Sequence, residues 1–157
     1  MIDNSRIGDI IWDLDKLPIP AWHLLPYEKY WKISRPHGGD IKTGAELKYA
    51  SMMTSRGCPF SCSYCHIAEE IVESKSGAIG KFRIKSDERV RKELQILKDE
   101  IGVKQVFIED DSIFGMKRRA IRLLKSIVGL GLDLLDVNGV NTIHLVKNYK
   151  KKSFYKI

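Results

Sequence analysis

Cysteine is scarce in this sequence, and long apolar runs are absent from it. All three cysteines, Cys58, Cys62 and Cys65, lie within eight positions. Their number is odd and their spacing is too short to staple a fold, so a disulfide scaffold is excluded and a reducing compartment is expected. No apolar run approaches the ~20 residues that cross a bilayer, and the start, MIDNSRIGDI, contains acids where a secretory signal would be apolar. We therefore expect a cytoplasmic protein without a membrane span, whose thiols serve catalysis or metal binding.

Internal repeats and low-complexity segments are also absent, and the charge is unevenly distributed. The formal net charge is +7 over 157 residues, but five lysines fall in the last eleven residues, KNYKKKSFYKI. Nucleic-acid binding would require basic residues interleaved with aromatics on a defined face. We favour a solvated terminal run and do not expect nucleic acid as a partner. The 43% hydrophobic content is sufficient for one domain with its own core.

Residues 1–48 predict a loosely structured lead-in segment. DLDKLPIPAWHLLP carries three prolines in nine positions, and RPHGGDIKTG adds turn residues. Trp12, Trp22 and Trp31 either anchor this segment on a larger structure or fill the core of this domain.

Between residues 49 and 140, strand patterns alternate with helix patterns. YASMMTS (49–55) predicts a buried strand that runs into Gly57 and the cysteines. A helix is predicted from the N-cap Ser86 to Gly102, followed by a strand over 103–110, a helix over 116–131 and a strand over 132–140. The predicted apolar faces of the two helices are Val90, Leu94, Leu97 and Ile101, and Met116, Ala120, Leu123, Leu124 and Ile127.

This alternation predicts an α/β fold built from right-handed βαβ units, with a parallel sheet or barrel. In such folds the functional residues collect at the carboxyl ends of the strands. The cysteines, the acids of IEDDS and the Asn-Gly pair at 138–139 all stand at such ends. We therefore expect one site at this edge of the sheet.

The CxxxCxxC spacing lets three thiolates on one loop converge on a single metal centre with one coordination position open. An iron–sulfur cubane held in this way has one iron free to bind another group. Zinc would require a fourth ligand, for which His66 is the nearby candidate, but adjacent residues rarely chelate one ion comfortably. A small zinc or iron–sulfur binding module is the alternative interpretation, and an inactive truncated remnant is another.

The stretch SRGCPFSCSYC, with Tyr64 as the aromatic before the last cysteine, resembles the radical S-adenosylmethionine (SAM) superfamily. KFRIKSDERVRKEL and FIEDDSIF, which flank the next strand, resemble the branch of it whose members often carry an N-terminal cobalamin-binding domain. LDKLPIPAWHLLP resembles the linker between those two domains. The resemblance covers residues from about 11 to about 140.

The resemblance implies an enzyme with an unknown substrate. A [4Fe-4S] cluster on Cys58, Cys62 and Cys65 would reductively cleave S-adenosyl-L-methionine to a 5′-deoxyadenosyl radical. Flavodoxin or ferredoxin would donate the electron, and cobalamin would enter through a domain absent from this chain. No catalytic residue is assigned, and the cofactor-binding residues that the resemblance implies are Tyr64, Glu109, Asp110, Asp111 and Asn138.

Each cofactor-binding residue also has a structural interpretation. Tyr64 would lie near the adenine, or its ring would pack under the loop. The acids at 109–111 would meet the methionine ammonium, or Asp111 or Ser112 would cap the next helix. Asn138 would contact cofactor or substrate, or it would simply form a turn.

The family core is a partial TIM-like barrel with more βα units than the three strands predicted here. We therefore expect a lead-in over 1–48, the N-terminal half of a radical SAM core over 49–140 and a basic tail over 141–157. A gene fragment or a frameshifted reading would produce such a chain. Three parallel strands leave an open edge, so we expect poor solubility when the chain is expressed alone.

Overall fold

The computed structural model describes residues 10–33, 48–71 and 78–140. The predicted basic tail and the turn-rich part of the lead-in around His37 lie outside these residues. Short 3₁₀ turns occur at Leu14–Lys16, Trp22–Leu24 and Ile113–Gly115. The helices and strands, in chain order, are α1 (Tyr27–Ile33), β1 (Tyr49–Met52), β2 (Ser55–Arg56), α2 (His66–Ile71), β3 (Arg83–Ile84), α3 (Asp87–Asp99), β4 (Gln105–Ile108), α4 (Lys117–Ile127) and β5 (Asp133–Asp136).

The centre of the fold is a three-stranded sheet in the order β1-β4-β5. Both pairings are parallel, and the register aligns Met52 with Ile108 and Ile108 with Asp136. The strands are connected through α3 and α4, which pack on the sheet. The predicted mixed α/β fold with parallel strands is confirmed, and the arrangement is compatible with part of a βα barrel. Closure into a TIM-like barrel stays a prediction.

Helix α3 forms as its sequence predicts. The Ser86 hydroxyl accepts a hydrogen bond from the Arg89 N–H at 3.0 Å and caps the first turn. Val90, Leu94 and Leu97 are fully buried against the sheet. Complete burial of such side chains stabilises the fold by about 1.5–3 kcal/mol each, so this face joins helix and sheet.

Helix α4 begins one residue later than predicted, and its apolar face differs at the start. Met116 stands before the first turn as the N-cap and is 49% exposed, so its assignment to the buried face is wrong. Ile113, on the preceding 3₁₀ turn, takes a place in the core instead. The side chains of Ala120, Leu123 and Ile127 are buried as predicted.

The sequence did not predict helix α1 in the lead-in, helix α2 or the β2–β3 ribbon. Strands β2 and β3 form a small antiparallel ribbon in which Ser55 pairs with Ile84 and Arg56 with Arg83. Helix α2 starts directly after Cys65. Strands of two residues carry no readable alternation, since a period of two needs several residues to be recognised. Strand β2 thus comes directly before the cysteine loop and α2 directly after it.

The described part of the lead-in is fastened to α3. The Arg89 guanidinium donates to the carbonyl oxygens of Asp15, Leu17 and Pro18 at 3.0, 2.7 and 2.9 Å. The carboxylate of Asp15 accepts the Ser86 N–H at 3.0 Å. These bonds hold the two short turns of the lead-in against the domain.

The three tryptophans of the lead-in have different environments. Trp22 is 7% exposed and belongs to the hydrophobic core, as the second interpretation of these residues expected. The Trp31 indole N–H donates to the Tyr49 carbonyl at 2.8 Å, whereas Trp12 is exposed and carries the Lys81 ammonium over its ring. None of the helices in the described ranges has the length and apolar character that a membrane crossing requires.

Candidate cofactor site at the carboxyl edge of the sheet

The polar segments that follow β1, β4 and β5 meet at one edge of the sheet. The Glu109 N–H continues the ladder to the Met52 carbonyl at 2.9 Å, and the Asn138 amide donates to the Asp110 carbonyl at 2.9 Å. Because parallel strands end at the same edge, residues 109–111 and 138 lie side by side. The structure therefore brings these residues close together, as expected from the strand order. Their contacts with a ligand stay predictions.

Asp110 is fully buried, and its carboxylate is hydrogen-bonded inside the protein. Its oxygens accept the backbone N–H groups of Thr54 and Ser55 at 2.5 and 3.2 Å, and their hydroxyl groups at 2.5 and 2.6 Å. These bonds join the end of β4 to the turn between β1 and β2. The role of Asp110 in this structure is thus to position the edge, and Glu109 and Asp111 are the partly exposed acids beside it.

Arg119 on α4 supplies the counter-charge for Asp110. Its side chain is 2% exposed, and one guanidinium nitrogen donates to the Thr54 carbonyl and hydroxyl oxygens, both at 2.9 Å. A second guanidinium nitrogen lies 3.8 Å from the Asp110 carboxylate. Burial lowers the pKa of Arg119, while the charges of Asp110 and Asp87 raise it. Arg119 was not among the predicted site residues, and its position beside the predicted apolar face of the helix was the one signal available.

Glu109 faces a cavity between the sheet edge and the lead-in. Its carboxylate accepts the Ser51 hydroxyl at 2.9 Å, which fixes the side chain across β1 and β4. The cavity has a volume of about 370 Å³ and is covered by apolar lead-in residues that include Leu14, Pro18 and Trp22. An open, partly apolar space beside a fixed carboxylate is suitable for an organic ligand.

The cysteine loop is held at its base by close backbone contacts. Gly57 has φ +73°, and a Cβ atom there would lie 2.3 Å from the Gly80 carbonyl oxygen. The Cys58 N–H donates to that same oxygen at 3.1 Å. Pro59 packs on Gly115, where an added Cβ would come within 2.6 Å of its ring. Only glycine permits these approaches, so Gly57 and Gly80 determine where the first cysteine stands.

All three thiols are free and half-buried. Burial raises the pKa of the Cys58 thiol above its ordinary value; the nearby charges of Asp111, Cys62 and Cys65 raise it further, and a hydrogen bond from the Phe60 N–H opposes them. The three cysteines therefore share one short loop and act on one another electrostatically.

Tyr64 and Asp111 are the predicted cofactor residues nearest the thiols. Tyr64 is 89% exposed, and a hydrogen bond to Cys62 raises its pKa above the ordinary value. Burial raises the pKa of the Asp111 carboxyl, while a hydrogen bond from the Gly57 N–H lowers it. Tyr64 is therefore not packed under the loop, and Asp111 is linked to the base of the loop.

The donor set of the loop can be compared with the cluster that the resemblance implies. Three free thiols on one short loop fit an iron–sulfur cluster in number and chemistry. Within residues 10–33, 48–71 and 78–140, however, no three Cys, His, Asp or Glu side chains converge as a ready metal-ligand set. His66, the candidate fourth zinc ligand, is exposed at the start of α2.

Asp136 is a polar residue of this edge that the sequence analysis did not single out. Both carboxylate oxygens are shielded from solvent, and neither forms a hydrogen bond within the described residues. Burial raises the pKa of Asp136, the charge of Asp110 adds to the rise, and the nearby Asn138 N–H lowers it without well-formed hydrogen-bond geometry. The sequence signal that could have identified Asp136 is its position as an acid at the end of the segment LDLLD.

The fold and the site define an α/β protein that carries a three-thiol loop at the carboxyl edge of a parallel sheet. The family model described as the radical SAM superfamily matches residues 52–148, more than half of the chain. The chain therefore belongs to the radical SAM superfamily, and it is an enzyme by resemblance. No solved structure shows a significant match to it.

Three curated proteins illustrate the relationship. An uncharacterized methyltransferase of Pyrococcus horikoshii is 38% identical over 134 residues, which cover 85% of this chain and 25% of the relative. The cytidylyl-2-hydroxyethylphosphonate methyltransferase of Streptomyces wedmorensis is 30% identical over a segment that covers 87% of this chain and 24% of the relative. An uncharacterized methyltransferase of Synechocystis is 29% identical over a segment that covers 73% of this chain and 17% of the relative. The chain spans about a quarter or less of the length of these relatives.

Proposed function

We propose that this chain is the part of a radical SAM enzyme that holds the [4Fe-4S] cluster and the methionine end of SAM. The observation that carries the proposal is a loop with three free thiols beside Asp111, at the carboxyl edge of a parallel sheet in a chain of this superfamily. Cys58, Cys62 and Cys65 are the three protein ligands.

When bound, the cluster supplies the electron that cleaves SAM to methionine and a 5′-deoxyadenosyl radical. The residues of the chain bind and orient the other groups. Glu109, which is held by Ser51, faces the methionine ammonium and pairs with it. Asp111 keeps the base of the loop in place through the Gly57 N–H.

Tyr64 and Asn138 complete the proposed cofactor contacts. The exposed ring of Tyr64 offers a flat apolar surface beside the thiols, and adenine stacks on it. The Asn138 amide nitrogen is fixed on the Asp110 carbonyl, so its amide oxygen is oriented to accept a hydrogen bond from the cofactor or the substrate. Asp110 acts through these neighbours as a positioning residue rather than as a ligand.

We propose methyl transfer as the reaction class of the whole protein. The support is that all three relatives are named as methyltransferases. In this proposal a partial barrel extends beyond the three described strands, cobalamin carries the methyl group on a separate domain, and flavodoxin or ferredoxin supplies electrons.

Anaerobic reconstitution with iron and sulfide tests the cluster proposal on the full chain. We expect about four irons per chain and an electron paramagnetic resonance spectrum that changes when SAM is added. The Cys62→Ser variant should lose the cluster, whereas Ser63→Ala, in the same loop, should retain it. One bound zinc per chain, or no stable metal, would overturn the proposal in favour of a binding module or an inactive remnant.

A further inference from the structure

The cavity beside Glu109 has a cationic wall that the cofactor assignment does not use. Arg56, Lys85 and Arg89 line it, and Glu109 is its acidic lining residue. The cavity lies directly before the cysteine loop, since Arg56 stands two positions ahead of Cys58. An open volume of about 370 Å³ can hold a small organic molecule.

Two of these cations share one acidic partner within the protein, which offsets one of their two positive charges. The buried Glu93 carboxylate accepts hydrogen bonds from the Lys85 ammonium and the Arg89 guanidinium, both at 2.6 Å. Arg89 uses three more of its five N–H donors on lead-in carbonyls, so only one donor is left for a ligand. Lys85 forms one bond to Glu93 and keeps further ammonium hydrogens for another acceptor.

Arg56 is the cation that remains without an acidic partner among the described residues. It stands directly opposite Arg83 in the β2–β3 ribbon, and its charge lowers the pKa of Arg83, although burial is the larger cause. The Arg83 guanidinium is bonded to the carbonyl oxygens of Ile11, Ile79 and Lys81, which carry no net charge. Like charges placed opposite each other across two strands destabilise a ribbon unless an anion offsets them.

We propose that this cavity binds the oxyanion of the substrate, a phosphate, phosphonate or carboxylate group, between Arg56 and Lys85. The planar guanidinium of Arg56 forms a bidentate pair with the oxyanion, and the Lys85 ammonium contributes a point charge. Glu109, which also lines the cavity, stays available for the cofactor ammonium. The assignment to the substrate rests on the proposed function, whereas the anion site itself depends only on the cavity and its charges.

The site is tested by titrating the full chain with inorganic phosphate and with methylphosphonate. Binding is measured by calorimetry and by the broadening of phosphorus NMR lines. We expect Arg56→Gln to weaken binding at least about tenfold. Arg56→Lys should weaken binding less, because lysine keeps the positive charge and loses only the two parallel hydrogen bonds of the guanidinium. Arg118→Gln, an exposed arginine on α4, is the matched control for net charge and should leave binding unchanged. Equal losses in Arg56→Gln and Arg118→Gln, or no loss in Arg56→Gln, would refute the site.

A second arm separates the substrate from the carboxylate of SAM as the source of the oxyanion. If phosphate and SAM bind together to the reconstituted protein, the site belongs to the substrate. Displacement of phosphate by SAM would overturn that assignment. The cluster content of Arg56→Gln should equal that of the unmodified chain, so a failure of cluster assembly and a failure of the anion site are distinguishable.

Discussion

At the scale of single residues, the site is organised around one buried charge pair. Asp110 and Arg119 are 0% and 2% exposed, and Thr54 bonds both of them. An isolated charge in such an environment would be strongly unfavourable, so each partner requires the other. The pair holds the turn after β1 against the end of β4, and both Glu109 and the cysteine loop depend on that junction.

Replacement of Asp110 by Asn should therefore destabilise the protein rather than only weaken ligand binding. The amide oxygen can still accept the N–H groups of Thr54 and Ser55, but the NH2 group replaces the oxygen that accepts their two hydroxyls and lies 3.8 Å from Arg119. The Arg119 charge thereby loses its counter-ion and gains donor hydrogens beside it. We expect a loss of about 3–5 kcal/mol in the free energy of unfolding, measured by urea denaturation. Asp99→Asn, an exposed acid with one bond to Gln95, is the matched control and should change stability by less than about 0.5 kcal/mol. Equal stability of the two variants would contradict the proposed role of the pair.

At the scale of secondary-structure elements, the base of the cysteine loop depends on a contact between two backbones. Gly57→Ala would force a Cβ atom against the Gly80 carbonyl and separate the β1–β2 segment from the end of α2. Gly129→Ala is a matched control, since Gly129 also has a positive φ, +87°, with nothing within 4 Å of an added Cβ. The control should lose about 1–2 kcal/mol from backbone strain alone.

We expect Gly57→Ala to lose more stability than Gly129→Ala and also to lose cluster assembly, because Cys58 is displaced. Thermal unfolding and the iron content after anaerobic reconstitution measure the two effects. Gly57→Ala protein that assembles a full cluster would show that the contact with Gly80 does not position the first ligand.

The elements differ in how well the sequence predicts them. The α3 helix and the parallel strands have long, periodic patterns, and the N-cap at Ser86 forms as predicted. The β2–β3 ribbon cannot be recognised in the sequence, since its pairing joins residues about thirty positions apart and each strand has two residues.

The candidate site is also predicted only in part. Its location follows from strand order, whereas the inward orientation of Asp110 and the partnership with Arg119 depend on three-dimensional packing that no local pattern encodes.

At the scale of the whole molecule, the described fold is a three-stranded sheet with two edge strands. In the described residues β1 and β5 each pair with β4 alone, and the aligned segments cover 25%, 24% and 17% of the three curated relatives. Exposed parallel edges present unpaired N–H and C=O groups. The lead-in packs on the domain, where it lines the cavity beside Glu109 and contributes Trp22 to the core. It therefore behaves as part of the domain over the residues described.

Arg89 is the residue on which this docking depends, and Arg89→Gln should release the lead-in. The substitution removes the bonds to three carbonyl groups and leaves the buried Glu93 with Lys85 as its basic partner. Hydrogen bonds from a charged donor contribute about 1.5–3 kcal/mol, so trypsin cleavage after Lys16 should accelerate about tenfold or more.

Arg91→Gln is the matched control, because Arg91 lies on the same helix and bonds the Ser126 carbonyl instead. Mass spectrometry of the digest separates cleavage after Lys16 from cleavage after Arg118, which reports opening of the whole domain. Equal protection of Lys16 in both variants would mean that the apolar contacts of Leu14 and Trp22 are sufficient to hold the lead-in, and that Arg89 serves only to neutralise Glu93.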